Sequence, residues 1–424
     1  MFCVFCVLIP YLNGIDSHIT IKFGRIIILI DKIVFKKISK VVWILSVISL
    51  FTDIASEMLY PVMPIYLKSI GFSIVVIGIL EGVAEAVAGL SKGYFGKLSD
   101  VSGKRLPFVK IGYILSAIAK PMTAFFIHPA WIFFSRTTDR LAKGIRTGAR
   151  DAILSDESTS KTKGAVFGFH RAMDTIGAAI GPTLALLYLY YHPNEYKTLF
   201  YIAFIPGVIA IATTLLLKEK KKTVLSPTQQ KVSFFSFLNY WKQSPAEYRR
   251  LLIGLLFFTL FNSSDVFLLL KAKDAGLNDT HVIGIYIFYN MVYALFAFPV
   301  GSLADRIGLK RMFMIGLALF SIVYFGFSIN TNLYIFLVLF FIYGLYASAT
   351  EGVSKAWISN ISDKKDTATA IGTFSAFQSI CTMLASSFAG IIWYSLGAKT
   401  LFILSGSMAL VVILYLWKMK EKVD

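Results

Sequence analysis

Charged residues are scarce in this chain, and their scarcity argues against a soluble fold. Of its 424 residues, 16% are charged and 56% are hydrophobic, and the mean hydropathy is +0.69. A soluble globular protein carries about a quarter charged residues. Hydrophobic runs of about twenty residues recur along the chain. As a helix, each run can cross roughly 30 Å of hydrocarbon. The composition therefore predicts an integral membrane protein.

Cysteine and common catalytic motifs are also rare. The three cysteines are Cys3, Cys6 and Cys381, and no second cysteine pair or histidine cluster completes a metal site. The sequence has no Walker A loop and no HExxH motif, so neither ATP hydrolysis nor zinc-dependent hydrolysis has support. We therefore expect neither an enzyme nor a bound cofactor or metal.

Basic residues outnumber acidic residues, 42 to 24, which gives a formal net charge of +18. Most of them fall in one alternate set of loops between the hydrophobic runs, whereas a few, Lys120 among them, are assigned to the opposite set. Loops rich in Lys and Arg stay on the cytoplasmic side of a membrane. The charge therefore predicts cytoplasmic termini and an even number of spans, and it does not indicate a nucleic-acid partner.

Twelve hydrophobic segments are predicted to span the membrane as helices. They lie near residues 41–67, 73–97, 107–127, 130–150, 164–191, 196–217, 249–270, 281–303, 311–329, 332–357, 366–395 and 399–418. A polar stretch, 218–248, divides them six and six and is predicted to be a cytoplasmic linker, whose amphipathic part, Phe234–Trp241, lies on the membrane surface. The predicted organisation is a cytoplasmic N-terminal segment, 1–40, followed by two six-helix bundles, 41–217 and 249–424.

A charged, glycine-punctuated turn occurs twice, half a chain apart. The second copy is Gly301-Ser-Leu-Ala-Asp-Arg-Ile-Gly-Leu-Lys-Arg311, and the first, Gly96-Lys-Leu-Ser-Asp-Val-Ser-Gly-Lys-Arg105, stands 205 residues earlier. Two further pairs keep this offset: Gly71 with Gly276, and Arg150 with Lys355. Three features in register indicate an internal duplication, which is the usual architecture of alternating-access carriers.

The repeated turn resembles the signature G-x-L-x-D-R-x-G-x-[KR]-[KR] of the major facilitator superfamily, and the resemblance extends from about residue 41 to 418. The first copy departs from it at Val101 and Leu106. The resemblance implies an all-α membrane protein of twelve helices, in two pseudo-symmetric bundles around a central cavity. It also implies that the turns form a gate that latches one conformation. The gating residues would be Gly96, Asp100, Gly103, Lys104 and Arg105 in the first turn, and Gly301, Asp305, Arg306, Gly308, Lys310 and Arg311 in the second.

The fifth predicted span carries Gly177-Ala-Ala-Ile-Gly181-Pro182. This stretch is similar to the G-x-x-x-G-P pattern found in proton-driven antiporters of the same superfamily, although Leu184-Ala185 replaces the Gly-Gly that normally follows. The resemblance implies a proton-coupled exporter, with Gly177, Gly181 and Pro182 forming the antiporter-like motif.

Four acidic residues fall inside the first two predicted spans: Asp53 and Glu57, then Glu81 and Glu85. Each pair has i,i+4 spacing and so occupies one helix face. The two pairs are predicted to lie at matched depth, where ionisable groups are costly and usually functional. We expect these carboxylates to bind protons or cations, with structural ion pairing as the alternative.

The fourth and fifth predicted spans supply further charges: Arg136, Asp139, His170, Arg171 and Asp174. The superfamily resemblance implies a proton-transfer role for Arg136. The two arginines are expected to pair with the two aspartates. For His170, a structural i,i+4 pair with Asp174 is the alternative to a proton relay.

The second half offers fewer ionisable groups. Asp265 is predicted to belong to the proton or substrate pathway, whereas Glu351 and Lys355 are expected to form an i,i+4 pair that anchors the cytoplasmic end of its helix. Several aromatic residues, Tyr286, Tyr289 and Tyr293 among them, could line a cavity, but packing is the favoured role for any one of them.

These features together predict a secondary active transporter of the cytoplasmic membrane that works by alternating access. We expect proton-coupled export of a small organic solute by a monomer. The acid-rich first half favours a cationic, amphipathic or metal-chelated solute. Two alternatives stay open: a proton-coupled symporter that imports a nutrient, and a non-transporting receptor or scaffold on the same fold.

Overall fold

A computed structural model describes residues 38–219, 233–277, 279–330 and 332–419. All regular secondary structure in these ranges is helical. The described residues from 41 onward belong to one compact unit. The predicted N-terminal segment 1–40 lies outside the described residues, except for its last three.

The first half begins with α1 and α2, which are separated at Tyr60–Pro61. Its helices are α1 (Lys40–Leu59), α2 (Val62–Ser69), α3 (Ile74–Ser102), α4 (Leu106–Phe125), α5 (Pro129–Asp156), α6 (Lys163–Tyr191), α7 (Tyr196–Ile202) and α8 (Phe204–Thr214). The break after α1 falls at Pro61, and proline favours such a break because it removes a backbone donor and fixes φ.

The second half follows a 3₁₀ helix, Ser236–Asn239, in the linker. Its helices are α9 (Tyr240–Gln243), α10 (Ala246–Phe261), α11 (Val266–Asp274), α12 (Asp279–Ile307), α13 (Leu309–Ile329), α14 (Leu333–Ile361), α15 (Thr367–Leu396) and α16 (Ala398–Lys418). The break between α10 and α11 corresponds to the break between α1 and α2 in the first half. Interrupted spans at matching positions are typical of carriers built from repeats.

Ten segments of the described chain are long and apolar enough to cross a membrane. The two other long helices, α3 and α5, have 29 and 28 residues, which exceeds the ~20 that a span requires. They fall short in composition alone, because α3 and α5 carry most of the first half's interior charges. The predicted all-α fold of twelve membrane helices is confirmed.

The duplication is visible in the backbone. Gly71 and Gly276 have φ of +94° and +96°, and Gly103 and Gly308 have φ of +65° and +101°. Each pair keeps the 205-residue offset. Glycine adopts these left-handed angles without the steric cost that other residues meet, so each half turns its chain at the same two points.

Two helix pairs make the most extensive contacts between the halves: α6 packs on α12, and α3 packs on α15. A Cβ atom at Gly96 would lie 2.5 Å from the carbonyl oxygen of Ala368, and one at Gly168 would meet the carbonyl oxygen of Ala297. Both contacts are closer than a real Cβ atom tolerates. Glycine therefore permits backbone contact between the halves.

The linker enters the groove between the halves instead of lying wholly on a surface, as was predicted for Phe234–Trp241. Phe237 is 1% exposed, and a Cβ atom at Gly93 of α3 would lie 2.6 Å from its ring. Thr373 of α15 donates a hydrogen bond to the Phe237 carbonyl oxygen at 3.4 Å. Phe234 remains exposed. One aromatic side chain of the linker thus fills a notch between α3 and α15.

Candidate functional site

The end of the bundle that carries both charged turns, Gly96–Arg105 and Gly301–Arg311, is called the turn face below. Here each turn binds a helix of the opposite half. The Asp305 carboxylate accepts hydrogen bonds from the Gly164 and Ala165 amides of α6, at 2.6 and 2.8 Å. Such contacts stabilise because the first amides of a helix have no partner within it and the helix dipole is positive there.

Asp100 makes the equivalent contact in the other direction. Its carboxylate accepts from the Thr369 amide at 2.7 Å and from the Thr369 hydroxyl at 2.8 Å, at the beginning of α15. Thr369 stands 205 residues after Gly164, so the two aspartates are related by the repeat. The turn face is therefore closed by two matched helix caps that cross between the halves.

Arg105 supplies a cation beside Asp100, where the first turn has Val101 in place of the signature arginine. Its guanidinium lies 3.2 Å from Asp100, pairs with Asp156, and donates to the Lys364 carbonyl oxygen of the second half at 3.3 Å. Arg105, four positions after Val101, thus supplies a cation that contacts both Asp100 and the second half.

The other predicted gating residues shape the turns or lie at their edge. Gly301 contacts Gly164 backbone to backbone, and Gly103 and Gly308 hold the positive φ angles described above. Lys310 donates to the Met419 carbonyl oxygen at 2.6 Å. The exposed members are Lys104, Arg306 and Arg311.

A second set of contacts between the halves lies deeper. Lys355 of α14 is 2.7 Å from Asp151 of α5, whose side chain is fully buried and also binds Arg150 at 2.8 Å. Glu351 of α14 lies 3.2 Å from Arg171 of α6. The expected Glu351–Lys355 pair within one helix is therefore wrong, because each residue pairs with a residue of the first half.

His170, Arg171 and Asp174 meet on α6. Asp174 lies 3.7 Å from His170 and 3.8 Å from Arg171, while the Arg171 Nε donates to the Tyr293 hydroxyl of α12 at 2.7 Å. The residues around them line a small cavity between the halves: Asp151, Phe167, His170, Arg171, Asp174, Glu351, Gly352 and Lys355. The predicted Arg171–Asp174 pair is present in the structure.

Glu81 and Asp139 have cationic partners within the first half. Arg136 donates to both Glu81 carboxylate oxygens, from Nε at 2.8 Å and from Nη2 at 2.9 Å. This two-bond geometry is the strongest form of such a pair. Asp139 accepts from Ser116 at 2.7 Å and from Lys120 at 3.4 Å, and its predicted partner Arg136 lies 3.9 Å away.

Lys120 is a site residue that the sequence analysis misplaced. It was assigned to a loop, but it lies within α4 with 4% of its surface exposed. The apolar residues on both sides of it, Ile118-Ala119 and Pro121-Met122, were the available signal. A lone lysine within such a run is costly in a membrane and calls for a partner; here the partner is Asp139.

Asp53 and Glu57 lie where α1 packs on the antiporter-like motif of α6. A Cβ atom at Gly177 would lie 3.0 Å from the Asp53 Cβ, and one at Gly181 would lie 2.7 Å from the Met58 amide nitrogen. Pro182 follows inside α6. The motif glycines therefore allow α6 to approach the turn of α1 that holds both carboxylates.

The remaining predicted acids differ from Glu81 and Asp139 in their partners. Within the described ranges, the ion pairs do not include Asp53, Glu57, Glu85 or Asp265. The charges that act on Asp53 include those of Asp174, Lys143 and Arg146, and those that act on Glu85 include Lys92 and Lys143. Asp265 instead accepts a hydrogen bond from Tyr343 at 2.6 Å. The matched depth of the two carboxylate pairs remains a prediction.

One stretch of α3, Gly89-Leu-Ser-Lys-Gly93, has the G-x-S-x-G spacing of serine hydrolases. The nucleophile of those enzymes stands on a sharp turn between a strand and a helix. Ser91 lies within a continuous helix and is 2% exposed. The spacing therefore gives no support to a hydrolase.

The chain is similar to known transporters along most of its length. The sequence profile described as Major Facilitator Superfamily matches residues 45–291 and 271–424. An uncharacterized MFS-type transporter of Methanocaldococcus jannaschii is 34% identical over 367 residues, which cover 84% of this chain and 89% of that protein. The Quinolone resistance protein NorA of Staphylococcus aureus is 26% identical over 171 residues, or 40% of this chain and 43% of NorA.

Two solved structures share the fold. The human organic anion transporter MFSD10 superposes with a TM-score of 0.70 at 15% identity, covering 89% of this chain and 98% of that one. The Escherichia coli fucose:proton symporter FucP also has a TM-score of 0.70, at 10% identity, covering 90% and 98%. The sequence match, the twelve membrane helices and the repeated turns show that the chain belongs to the Major Facilitator Superfamily. Members of this superfamily are multi-pass membrane transporters and not enzymes.

Proposed function

We propose that this transporter exports a small organic solute in exchange for protons. The observation that carries the proposal is the position of Asp53, which packs against Gly177 of the antiporter-like motif and belongs to no ion pair in the described part of the chain. A carboxylate within a membrane span that is not held by a cation can gain and lose a proton, and such groups mark proton pathways.

The surroundings of Asp53 connect it to the gate. Asp174 on α6 is close enough for its charge to act on Asp53, and Asp174 belongs to the group around Arg171, which binds Tyr293 and Glu351 of the second half. A proton arriving at Asp53 changes the charge balance of a group that joins the halves. This arrangement supports coupling between protonation and opening of the turn face.

The closed turn face supports alternating access. Within the described ranges, the hydrogen bonds between residues 41–217 and 249–418 involve the turns, the Asp151 and Arg171 groups, and Lys163, which donates to the Ser359 carbonyl oxygen; the deepest of them is Arg171–Tyr293. The halves are thus held together at one end. We assign the turn face to the cytoplasm, since its loops are rich in Lys and Arg, and place the monomer in the cytoplasmic membrane.

Export is favoured over import by two similarities: the G-x-x-x-G-P motif and the relation to NorA, whose name records resistance to an organic compound. Import with protons would use the same carboxylates. The fold shared with FucP carries no argument about direction, because the identity is 10%.

A ligand screen followed by flux measurements tests the proposal. Thermal-shift assays on the purified protein at about pH 5.5 and pH 8 would identify a compound whose stabilisation depends on pH. Proteoliposomes with an acidic lumen should then accumulate that compound. Asp53→Asn should abolish accumulation but retain counterflow, since exchange of solute for solute needs no net proton movement.

Asp274→Asn is the matched control, because Asp274 is an exposed carboxylate at the end of α11; it should transport as the wild type does. Unchanged gradient-driven accumulation in Asp53→Asn would remove Asp53 from the coupling mechanism. Absence of flux for every stabilising compound would favour the receptor or scaffold alternative.

A further inference from the structure

Asp265 is a carboxylate of the second half that the transport mechanism above does not use. It stands at the break between α10 and α11, immediately before the first residue of α11. Within the described ranges it belongs to no ion pair, although it receives the Tyr343 hydroxyl at 2.6 Å. Hydrogen bonds from Tyr343 and Tyr289 leave about half of the acceptor capacity of a carboxylate unused. A negative charge so placed calls for a positive partner.

Tyrosine rings surround this carboxylate. The Tyr343 ring centroid lies 5.0 Å from that of Tyr289, which lies 6.3 Å from each of Tyr286 and Tyr293. Tyr289 also faces Asp265 closely enough to interact with it. Tyr343 and Tyr289 are buried, whereas Tyr286 and Asp265 keep part of their surface exposed. The group therefore has an accessible side.

The accessible side faces the first half. Tyr286 is within electrostatic range of Asp265, of Glu57 of α1, and of Tyr60, which follows the end of α1. Glu57 likewise belongs to no ion pair within the described ranges. Two carboxylates, one from each half, thus act on the same tyrosine.

We propose that Asp265 and its surrounding tyrosines bind the positively charged group of an organic cation. The inference rests on the proposed function and names the class of solute: an amine that is protonated at neutral pH, or a quaternary onium ion. The faces of tyrosine rings attract cations, and the attraction is larger away from water. Asp265 supplies the countercharge, and Glu57 faces the same cation from the first half.

A metal ion fits this position less well. The described residues contain no group of three or more His, Cys, Asp or Glu side chains that could hold a metal. Calcium and magnesium prefer six or more oxygen ligands, most of them carboxylate, carbonyl or water. One carboxylate among ring faces is instead the composition that recognises a large, weakly hydrated cation.

Binding of tetraphenylphosphonium to the purified full-length protein tests the inference. Tetraphenylborate is the control ligand, because it has the same shape and apolar surface and the opposite charge. We expect the wild type to bind the phosphonium saturably and the borate not to compete for the site. Asp265→Asn should weaken phosphonium binding about tenfold or more, since it removes the countercharge.

Two further variants distinguish the contribution of the tyrosine ring from that of the carboxylate charge. Tyr286→Leu removes a partly exposed ring and should weaken phosphonium binding about threefold to tenfold, a typical effect for one cation–π contact. Asp274→Asn removes a carboxylate at the other end of α11 and should leave binding unchanged. If Asp265→Asn does not fold, as judged by gel filtration and thermal unfolding, Tyr286→Leu still tests the site.

Equal phosphonium affinity in the wild type and folded Asp265→Asn would overturn the inference, as would competition by tetraphenylborate. The assay contains no membrane and no proton gradient, so it is independent of coupling. Phosphonium binding without proton-driven flux would defeat the proposed function alone. Proton-driven flux of an uncharged solute, with no phosphonium binding, would defeat this inference alone.

Discussion

The two halves of this transporter share their backbone turns and the contacts between them, and they differ in their interior side chains. Both turn at the same glycine positions, and both place a turn aspartate on the first amides of a helix in the other half. Their interiors diverge. The first half holds the ion pairs Glu81–Arg136 and Asp139–Lys120, whereas the second half holds Asp265 among tyrosines.

This difference shows which features the repeat constrains. Helix caps and backbone contacts set how the halves meet, and a change in one copy would spoil the fit of both. Side chains that point to the centre need only avoid unpaired charge. The first half is therefore free to specialise in protons, and the second half in the solute, as we propose.

The linker marks another asymmetry. Gly93 on α3 corresponds by the repeat to Phe298 on α12. Phe298 packs edge-to-face on Phe169 of α6, with ring centroids 5.6 Å apart. At Gly93 the notch is instead filled by Phe237 of the linker. At the α6–α12 contact the aromatic ring belongs to α12 itself. At the equivalent α3–α15 contact the ring comes from the linker.

The largest effect is expected at Asp151, a buried acid of the first half whose repeat position in the second half is Ala356. Asp151→Ala should lower the free energy of unfolding by about 3–5 kcal/mol, because Arg150 and Lys355 would lose their shared carboxylate. Unfolding of the purified protein in detergent measures this, with Asp274→Ala as the control. A loss below about 1 kcal/mol would show that these charges are solvated, and the contrast between the halves would weaken.

The matched helix caps should give a smaller and equal effect. Asp100→Asn and Asp305→Asn should each cost the closed turn face about 1–2 kcal/mol, because a charged acceptor at a helix N-terminus is lost. Spin labels at Lys161→Cys and Lys365→Cys, with the native cysteines replaced by serine, report the distance across this face. Both variants should increase the population of longer distances. Longer distances in only one of the two variants would show that the two helix caps are not equivalent.

The linker ring should give the smallest effect. Gly93→Ala should expel Phe237 from its notch at a cost of about 1–3 kcal/mol, and proteolysis of the linker should become faster. Gly390→Ala is the matched control, since a Cβ atom there meets nothing within 4 Å. Unchanged proteolysis in Gly93→Ala would mean that the ring is not held there.

The sequence predicted the features that are encoded locally. Hydrophobic length located the twelve membrane helices. The recurring glycines revealed the duplication, since a position that must adopt positive φ keeps its glycine in both copies. The Gly177–Gly181 pair was likewise recognisable, because closely packed helices need small residues at this spacing.

The sequence did not predict which charges meet across the molecule. Glu351 and Lys355 are neighbours on one helix face, and nothing along the chain shows that Arg171 and Asp151 stand opposite them. The rotation of each helix and the distance between the halves decide such pairs. Phe237 was missed for the same reason: an amphipathic segment fits a membrane surface and a groove between helices equally well.

The most direct test of the account measures solute and proton movement together. Proteoliposomes contain a trapped pH-sensitive dye, and a solute identified by the ligand screen is added outside with no imposed pH gradient. The account predicts that solute entry expels protons and makes the lumen alkaline in the wild type, and that Asp53→Asn shows no such change. An acidified lumen, or an alkaline lumen that persists in Asp53→Asn, would contradict it.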